Sequence, residues 1–564
     1  MEKKKAGILI GVIAAVVALV FGGLWLTRNL KKPGGGTDVT GSPDDARSIL
    51  NEFVAEIAPK TGTPVKSNVE FNDSDTTYQE LPELTDSSIA VKETTDTFAE
   101  IFSSSEKTGS GTDGFLRDMV NQFNRSGATV NGKKASIRLR TVSSGQQVDY
   151  AASGKYTPDA ISPSSSLSVE MLRAKGVETT YAAESLVKNY AGIVLSNNSY
   201  SILTESYGEA TVKALAQATA DDKLIMGYTN PFTSATGLNF LVTLLDSYAP
   251  GNILSDKAVD GFQAFQRNVP FVAMTTTQMR SAAEKGTFDA FVLEYQYYLN
   301  DKNLSRNYRF IPFGYTHDNP LAVLESASAD AKEILKQFAA FCAENGRELA
   351  KTDGFDQAPE GFAAMTNEYS GEELIQAQAI YKENKDTKPI VCVFVTDVSG
   401  SMAGDPLNTL KSSLINSMQY INEQNYIGIV SYSGDVTIEL PIDKFELNQQ
   451  ALFKGTVENL TANGNTATFN AVCVAMKMVE DKLAELPDAK PMIFVLSDGV
   501  TNTGRDLADI EDIVRDLQIP IYTIGYNANI DALEQISSIN EGVCINAGTD
   551  DITYQLKQLF NANM

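Results

Sequence analysis

Residues 390–402 constrain this chain more than any other stretch. Ile390, Val391, Val393, Phe394 and Val395 form an apolar, mostly β-branched run. Such a run reads as a strand buried on both faces of a parallel sheet. It ends in Asp397, Ser399 and Ser401, spaced two apart with Gly400 between the serines, and a helix-like segment follows at 407–423. One carboxylate and two hydroxyls therefore sit on a loop at the carboxyl end of a central strand, where doubly wound sheets place ligands. Hard oxygen donors on a tight loop suit Mg²⁺, which prefers octahedral oxygen coordination. Asp and Ser are also the preferred helix caps, so this stretch alone does not separate a metal site from a cap.

Two later pieces separate them. Gly464, Asn465, Thr466, Ala467 and Thr468 precede a helical run at 469–486, and a second apolar run at 491–496 ends in Ser497, Asp498 and Gly499. Asp397, Ser399 and Ser401, with Thr466 and Asp498 at a distance, resemble the metal-ion-dependent adhesion site of the von Willebrand factor type A family. Many members have a second glycine where this chain has Asn465. The resemblance implies a doubly wound, mostly parallel sheet over 388–564. It also implies Mg²⁺ or Mn²⁺ held by Asp397, Ser399, Ser401, Thr466 and Asp498, and a partner protein that offers an Asp or Glu to the metal.

Upstream, strand-like and helix-like segments alternate from Phe98. Four strands end in Ser/Thr clusters: 103–105, 143–144, 162–166 and 229–236. Hydroxyls and N–H groups at strand-to-helix loops form concave anion sites, although each cluster alone also serves as a cap. Together with the segments 288–294 and 318–324, this block resembles the extracellular solute-binding proteins of the periplasmic-binding superfamily, type two. That implies two α/β lobes around a cleft over 98–361. Candidate ligand contacts are Ser104, Ser105, Ser143, Ser144, Ser164, Ser165, Thr233, Ser234 and Thr236. A small polar or anionic solute suits them better than a sugar, because the only tryptophan, Trp25, lies elsewhere.

Trp25 falls at the end of an uncharged run, 6–26, which follows Lys3, Lys4 and Lys5. At about 1.5 Å per residue this run spans a bilayer core, and it exceeds the apolar region of a cleaved signal peptide. The expected organisation is a transmembrane anchor at 1–32 and a tether and stalk at 33–97. The two-lobed domain at 98–361, a linker at 362–387 and the type A domain at 388–564 follow. Lysines on one flank are balanced by Arg28, Lys31 and Lys32 on the other, so charge does not orient the anchor; the solute-binding resemblance places the body outside the cell, on a single-pass membrane protein.

At 564 residues the chain exceeds one core. Its formal net charge of −25 argues against nucleic acid, whose phosphates need Lys and Arg. Cys342, Cys392, Cys473 and Cys544 form no C-x-x-C pair, so buried free thiols are expected and zinc is not. The single histidine, His317, has no nucleophile beside it, and no reading makes the chain an enzyme. The leading reading is a membrane-anchored receptor or adhesin. A solute-binding component of a transport or sensing system is the first alternative, and an adaptor for an AAA+ ATPase the second.

Overall fold

The computed structural model describes residues 42–69, 81, 84, 88–269, 271–273, 276, 279–280, 288–383, 388–418, 421–498, 501–525, 531–537, 539 and 544–546. The anchor expected at 1–32 and the closing helix expected at 552–559 lie outside them. Among the described residues no helix is long and apolar enough to cross a membrane.

The described residues build three sheets flanked by helices. In the first lobe of the solute-binding unit the order is Ile89–Val91, Lys133–Thr141, Thr97–Ser103, Ala160–Ser162, Leu321–Leu324 and Thr179–Ala183. Thr129–Val130 pairs off this path. In the second lobe it is Phe271–Ala273, Met226–Thr229, Ala290–Glu294, Asn189–Ser196 and Tyr308–His317. The chain passes between the lobes at 184–188 and returns at 318–320, so the last first-lobe strand comes from far along the sequence. Continuous apolar runs explain these strands, which are covered on both faces: Ala290–Glu294 is buried throughout, and Ile101, Ile137, Leu139, Ile193 and Val292 are fully buried.

The type A sheet has the order Lys60–Thr61, Val436–Lys444, Tyr426–Tyr432, Ile390–Asp397, Lys490–Ser497, Ile521–Gly525 and Cys544–Asn546. The central strand is parallel to both neighbours, with Thr396 opposite Ser431 on one side and Leu496 on the other. All eight of its residues are buried. Val436–Lys444 runs antiparallel to Tyr426–Tyr432, as the second arm of a hairpin about Ser433-Gly434-Asp435, and Lys60–Thr61, parallel to Val436–Lys444, shares its direction.

The expected tether and stalk at 33–97 does not hold for 42–69. The helix Pro43–Ile57 buries Ala46 and Leu50 in the type A core. There it packs against the helices Thr468–Glu485 and Leu507–Leu517. Lys60–Thr61 then adds a parallel strand to the sheet edge, continued by Gly62 N–H donating to Ile438 O at 2.8 Å. Residues 63–69 run along the helix Leu447–Asn459, where Ser67 N–H donates to Ala451 O at 2.9 Å. A Cβ on Gly455 would lie 1.9 Å from Val65 O, so only glycine admits this crossing. The type A unit is thus built from both ends of the chain, with the solute-binding unit inserted between an edge strand and the central strand. Composition hid this because an edge strand is held by backbone hydrogen bonds, which polar residues supply as well as apolar ones.

Two further boundaries move. Ile89–Val91 joins the first-lobe sheet, and the expected linker at 362–387 contains Gly371–Glu383, a helix packed on both lobes. Its Leu374, Ala377 and Tyr381 are buried, and the Tyr381 ring meets Tyr228, Phe232 and Phe262 of the second lobe. It is a brace of the solute-binding unit.

Candidate functional site

Asp397 ends the central strand, and its neighbours arise from the parallel register. The adjacent strand ends in Ser497, whose hydroxyl donates to Asp397 Oδ2 at 2.6 Å. Tyr432 on the other flank donates to the same oxygen at 3.3 Å, and Ser399 N–H donates to Oδ1 at 2.8 Å. Asp397 is fully buried. Burial pushes its carboxyl above the usual carboxylate range, and the charge of Asp498 adds to the rise, while the bonds from Ser497 and Ser399 oppose it. Burial likewise raises the Tyr432 phenol, which keeps its proton available for donation.

In front of this carboxylate the Ser399 and Ser401 hydroxyl oxygens lie 3.1 Å apart, with Ser399 buried and Ser401 exposed. The loop carrying Thr466 is locked to them through the backbone. Gly400 N–H donates to Gly464 O at 3.0 Å, and Asn463 N–H donates to Val398 O at 2.7 Å. Gly464 adopts φ +80°, which an L side chain rarely does. Thr466 is buried, and its N–H donates to Asn502 Oδ1 at 2.9 Å. Asp498 is half-buried, immediately after Ser497. The sequence-predicted residues therefore gather at one edge of the sheet. The donor set is all hard oxygen, from three hydroxyls and two carboxylates, and it fits a divalent cation of the Mg²⁺ class. Ser497, Tyr432 and Asn502 hold this set in place; the sequence reading noted Ser497 and Tyr432 only as strand ends and gave none of the three this role. The alternation of the strand run ending at Ser497 was the available signal for the first.

The candidate cleft residues scatter more. Ser104, Ser144 and Ser164 come together around a residue the sequence reading passed over, Glu106. The others do not join them. Ser143 Oγ donates to Gln146, Ser165 and Ser234 cap helices, Thr233 Oγ1 lies 3.4 Å from Asn230 O, and Ser105 begins a single helical turn. Thr236 donates to Glu294, which also lies 3.1 Å from His317 Nδ1. His317 is fully buried, with Asn239 on its other nitrogen. Cys342, Cys392 and Cys473 are buried free thiols, and burial pushes that of Cys473 up to about 12.

Residues 392–562 match the profile of the von Willebrand factor type A domain, and residues 108–356 match that of the bacterial extracellular solute-binding protein. Inter-alpha-trypsin inhibitor heavy chain H3 of Bos taurus is 27% identical over 167 residues, covering 28% of this chain and 18% of that protein. Uncharacterized protein sll0103 of Synechocystis is 26% identical over 162 residues, covering 27% of this chain and 36% of that one. The chain thus spans well under half the length of these curated relatives. Among solved structures, a periplasmic thiamin binding protein shares 12% identity, covering 51% of this chain and 96% of that one at a TM-score of 0.38. A von Willebrand factor type A protein from Catenulispora acidiphila shares 19%, covering 31% and 42% at a TM-score of 0.28.

Proposed function

We propose that this chain, which joins a solute-binding domain to a von Willebrand factor type A domain, is a non-enzymatic receptor or adhesin that grips a partner protein through a metal-dependent site. The carrying observation is the two-layer order at the sheet edge. Asp397 is pinned from behind by Ser497, Tyr432 and Ser399 N–H, while the Ser399 and Ser401 hydroxyls stand in front of it. A divalent cation bound there supplies an open coordination position that a partner's Asp or Glu carboxylate can fill. Ser399, Ser401 and Thr466 offer neutral oxygens to it, and Asp397 and Asp498 balance its charge directly or through water. Where the two carboxylates act through bound water rather than directly, the cation keeps positive charge at its open position for an incoming carboxylate. Locked loop backbones spare the ordering cost of assembling the donors at the moment of binding.

The uncharged run at 6–26 extends the proposal to a single-pass anchor in the lipid bilayer, with the body outside the cell. A pull-down from intact cells tests both parts. Partner capture should require Mg²⁺ or Mn²⁺, stop with chelator, and vanish for Asp397→Ala. Capture that is indifferent to chelator removes the metal reading, and protease protection of the type A unit in intact cells removes the orientation.

A further inference from the structure

In the solute-binding unit, serine hydroxyls of the first lobe gather beside a buried carboxyl group, that of Glu106. Ser104 follows the strand Thr97–Ser103, Ser144 follows Lys133–Thr141, and Ser164 follows Ala160–Ser162, so three strand-end loops of the first lobe bring their hydroxyls into one cluster. Ser144 holds Ser164, and two of the three meet Glu106 Oε1. Ser104 Oγ donates to it at 2.5 Å, and Ser164 Oγ donates to it as well. Ser144 Oγ accepts from Ser164 N–H at 3.2 Å and lies 3.4 Å from Ser164 Oγ, completing the cradle. Glu106 is 4% exposed. The neighbouring cation is directed elsewhere. Lys107 Nζ donates to Ser162 O, Pro163 O and Asn319 Oδ1 at 2.8–3.1 Å. The hydroxyls are therefore the hydrogen-bond donors to the Glu106 carboxylate, with the Lys107 charge acting on it through space, and a buried charge demands such partners.

The lobes are also closed on each other. Gly145 N–H of the first lobe donates to Thr233 O of the second at 3.1 Å, and a Cβ at Gly145 would lie 1.7 Å from Phe232 O. Gln296 Nε2 reaches across to Thr112 O at 2.6 Å. The brace helix Gly371–Glu383 packs on both lobes and donates from Gln378 to Pro231 O at 2.7 Å.

We propose that Glu106 is a built-in ligand, whose carboxylate occupies the oxyanion position between Ser104, Ser144 and Ser164 and keeps the unmodified unit from taking a free oxyanion. The unit then serves as a closed, rigid body rather than as an oxyanion receptor, and Glu106 is the residue that sets this exclusion. The inference stands apart from the metal site, which no group in it touches.

The test is anion binding by the full chain, read by calorimetry and thermal shift with sodium sulfate and sodium acetate against sodium chloride at equal ionic strength. The unmodified protein should show no saturable response beyond chloride. E106A empties the cradle of its carboxylate, and acetate or sulfate should then bind saturably, at least about tenfold tighter than to the unmodified protein, and raise the melting temperature. E106Q, which keeps an acceptor oxygen in place, should respond less than E106A. Should E106A not fold, E106S carries the same expectation with a smaller polar side chain. Saturable sulfate or acetate binding by the unmodified protein overturns the proposal by itself, and so does a folded E106A or E106S with no anion response.

Discussion

The two hydroxyl clusters of this chain are made of the same parts and do opposite things. Each places serines on loops at the carboxyl ends of parallel strands, and each adds a buried carboxylate. At the type A edge the carboxylate of Asp397 is held by Ser497 and Tyr432, while the hydroxyls of the buried Ser399 and the exposed Ser401 pair with each other and not with it. In the solute-binding unit the carboxylate of Glu106 stands in front and takes the hydroxyls of Ser104 and Ser164 for itself. The lesson is geometric. Where the charge sits relative to the hydroxyls decides whether such a cluster attracts a cation or answers its own anion.

The largest effect that can break this comparison concerns the unit that carries the first cluster. Leu50, 1% exposed, belongs to the type A core although it lies more than three hundred residues before the central strand. Leu50→Ala should cost about 2–5 kcal/mol, read as a lower unfolding temperature of the type A unit with the solute-binding unit unmoved. If no transition shifts, the amino-terminal helix is not a working part of that unit.

Next, Asp397→Ala should abolish stabilisation by Mg²⁺, which is about 2.7 kcal/mol when the cation is at a hundredfold its Kd. Glu106→Ala should leave that response intact. A full Mg²⁺-dependent shift in Asp397→Ala, measured on the full chain by calorimetry, would remove the cation from the first cluster and with it the contrast.

Ser497→Ala sharpens the comparison by removing a pin while sparing every expected ligand. Its expected cost is about 10–100-fold in Mg²⁺ affinity. Unchanged affinity in titration calorimetry would mean that the charge behind the hydroxyls needs no support from the neighbouring strand.

The smallest effect is electrostatic and lies beside the second cluster. Burial, then Asp118 and Asp113, raises the Asp353 carboxyl to about 6. A raised acid holds its proton longer when folded, so stability is lost as pH climbs from about 4 through 6 and stays lower above. Asp353→Asn should therefore gain about 1–2 °C over the unmodified protein at pH 7, and the gain should disappear at pH 4. An equal difference at both pH values would trace the effect to packing.

Much of the architecture was legible because burial leaves a pattern in sequence. The run from Ile390 to Val395 reads as a strand covered on both faces, and it is one; the apolar run at 491–496 follows the same logic. The spacing of Asp397, Ser399 and Ser401 marked a strand-end loop, and the family resemblance added Thr466 and Asp498; a parallel register brings the ends of neighbouring strands to the same edge. The Ser/Thr clusters were legible as strand-end loops, but their partners were not, and only three of the nine candidate residues meet.

What the sequence by itself determined, then, was which segments are strands and helices, that two α/β units share the chain, and which side chains carry oxygen chemistry. Tertiary structure alone decided that residues 42–69 belong to the type A unit, that the expected linker is a brace, and that Glu106 turns into the serine cradle while Asp397 backs its own. The physical reason is that composition reports how much a segment can bury and how many hydrogen bonds it can make. It does not report with whom, and both an edge strand and a carboxylate among hydroxyls are defined by the partner.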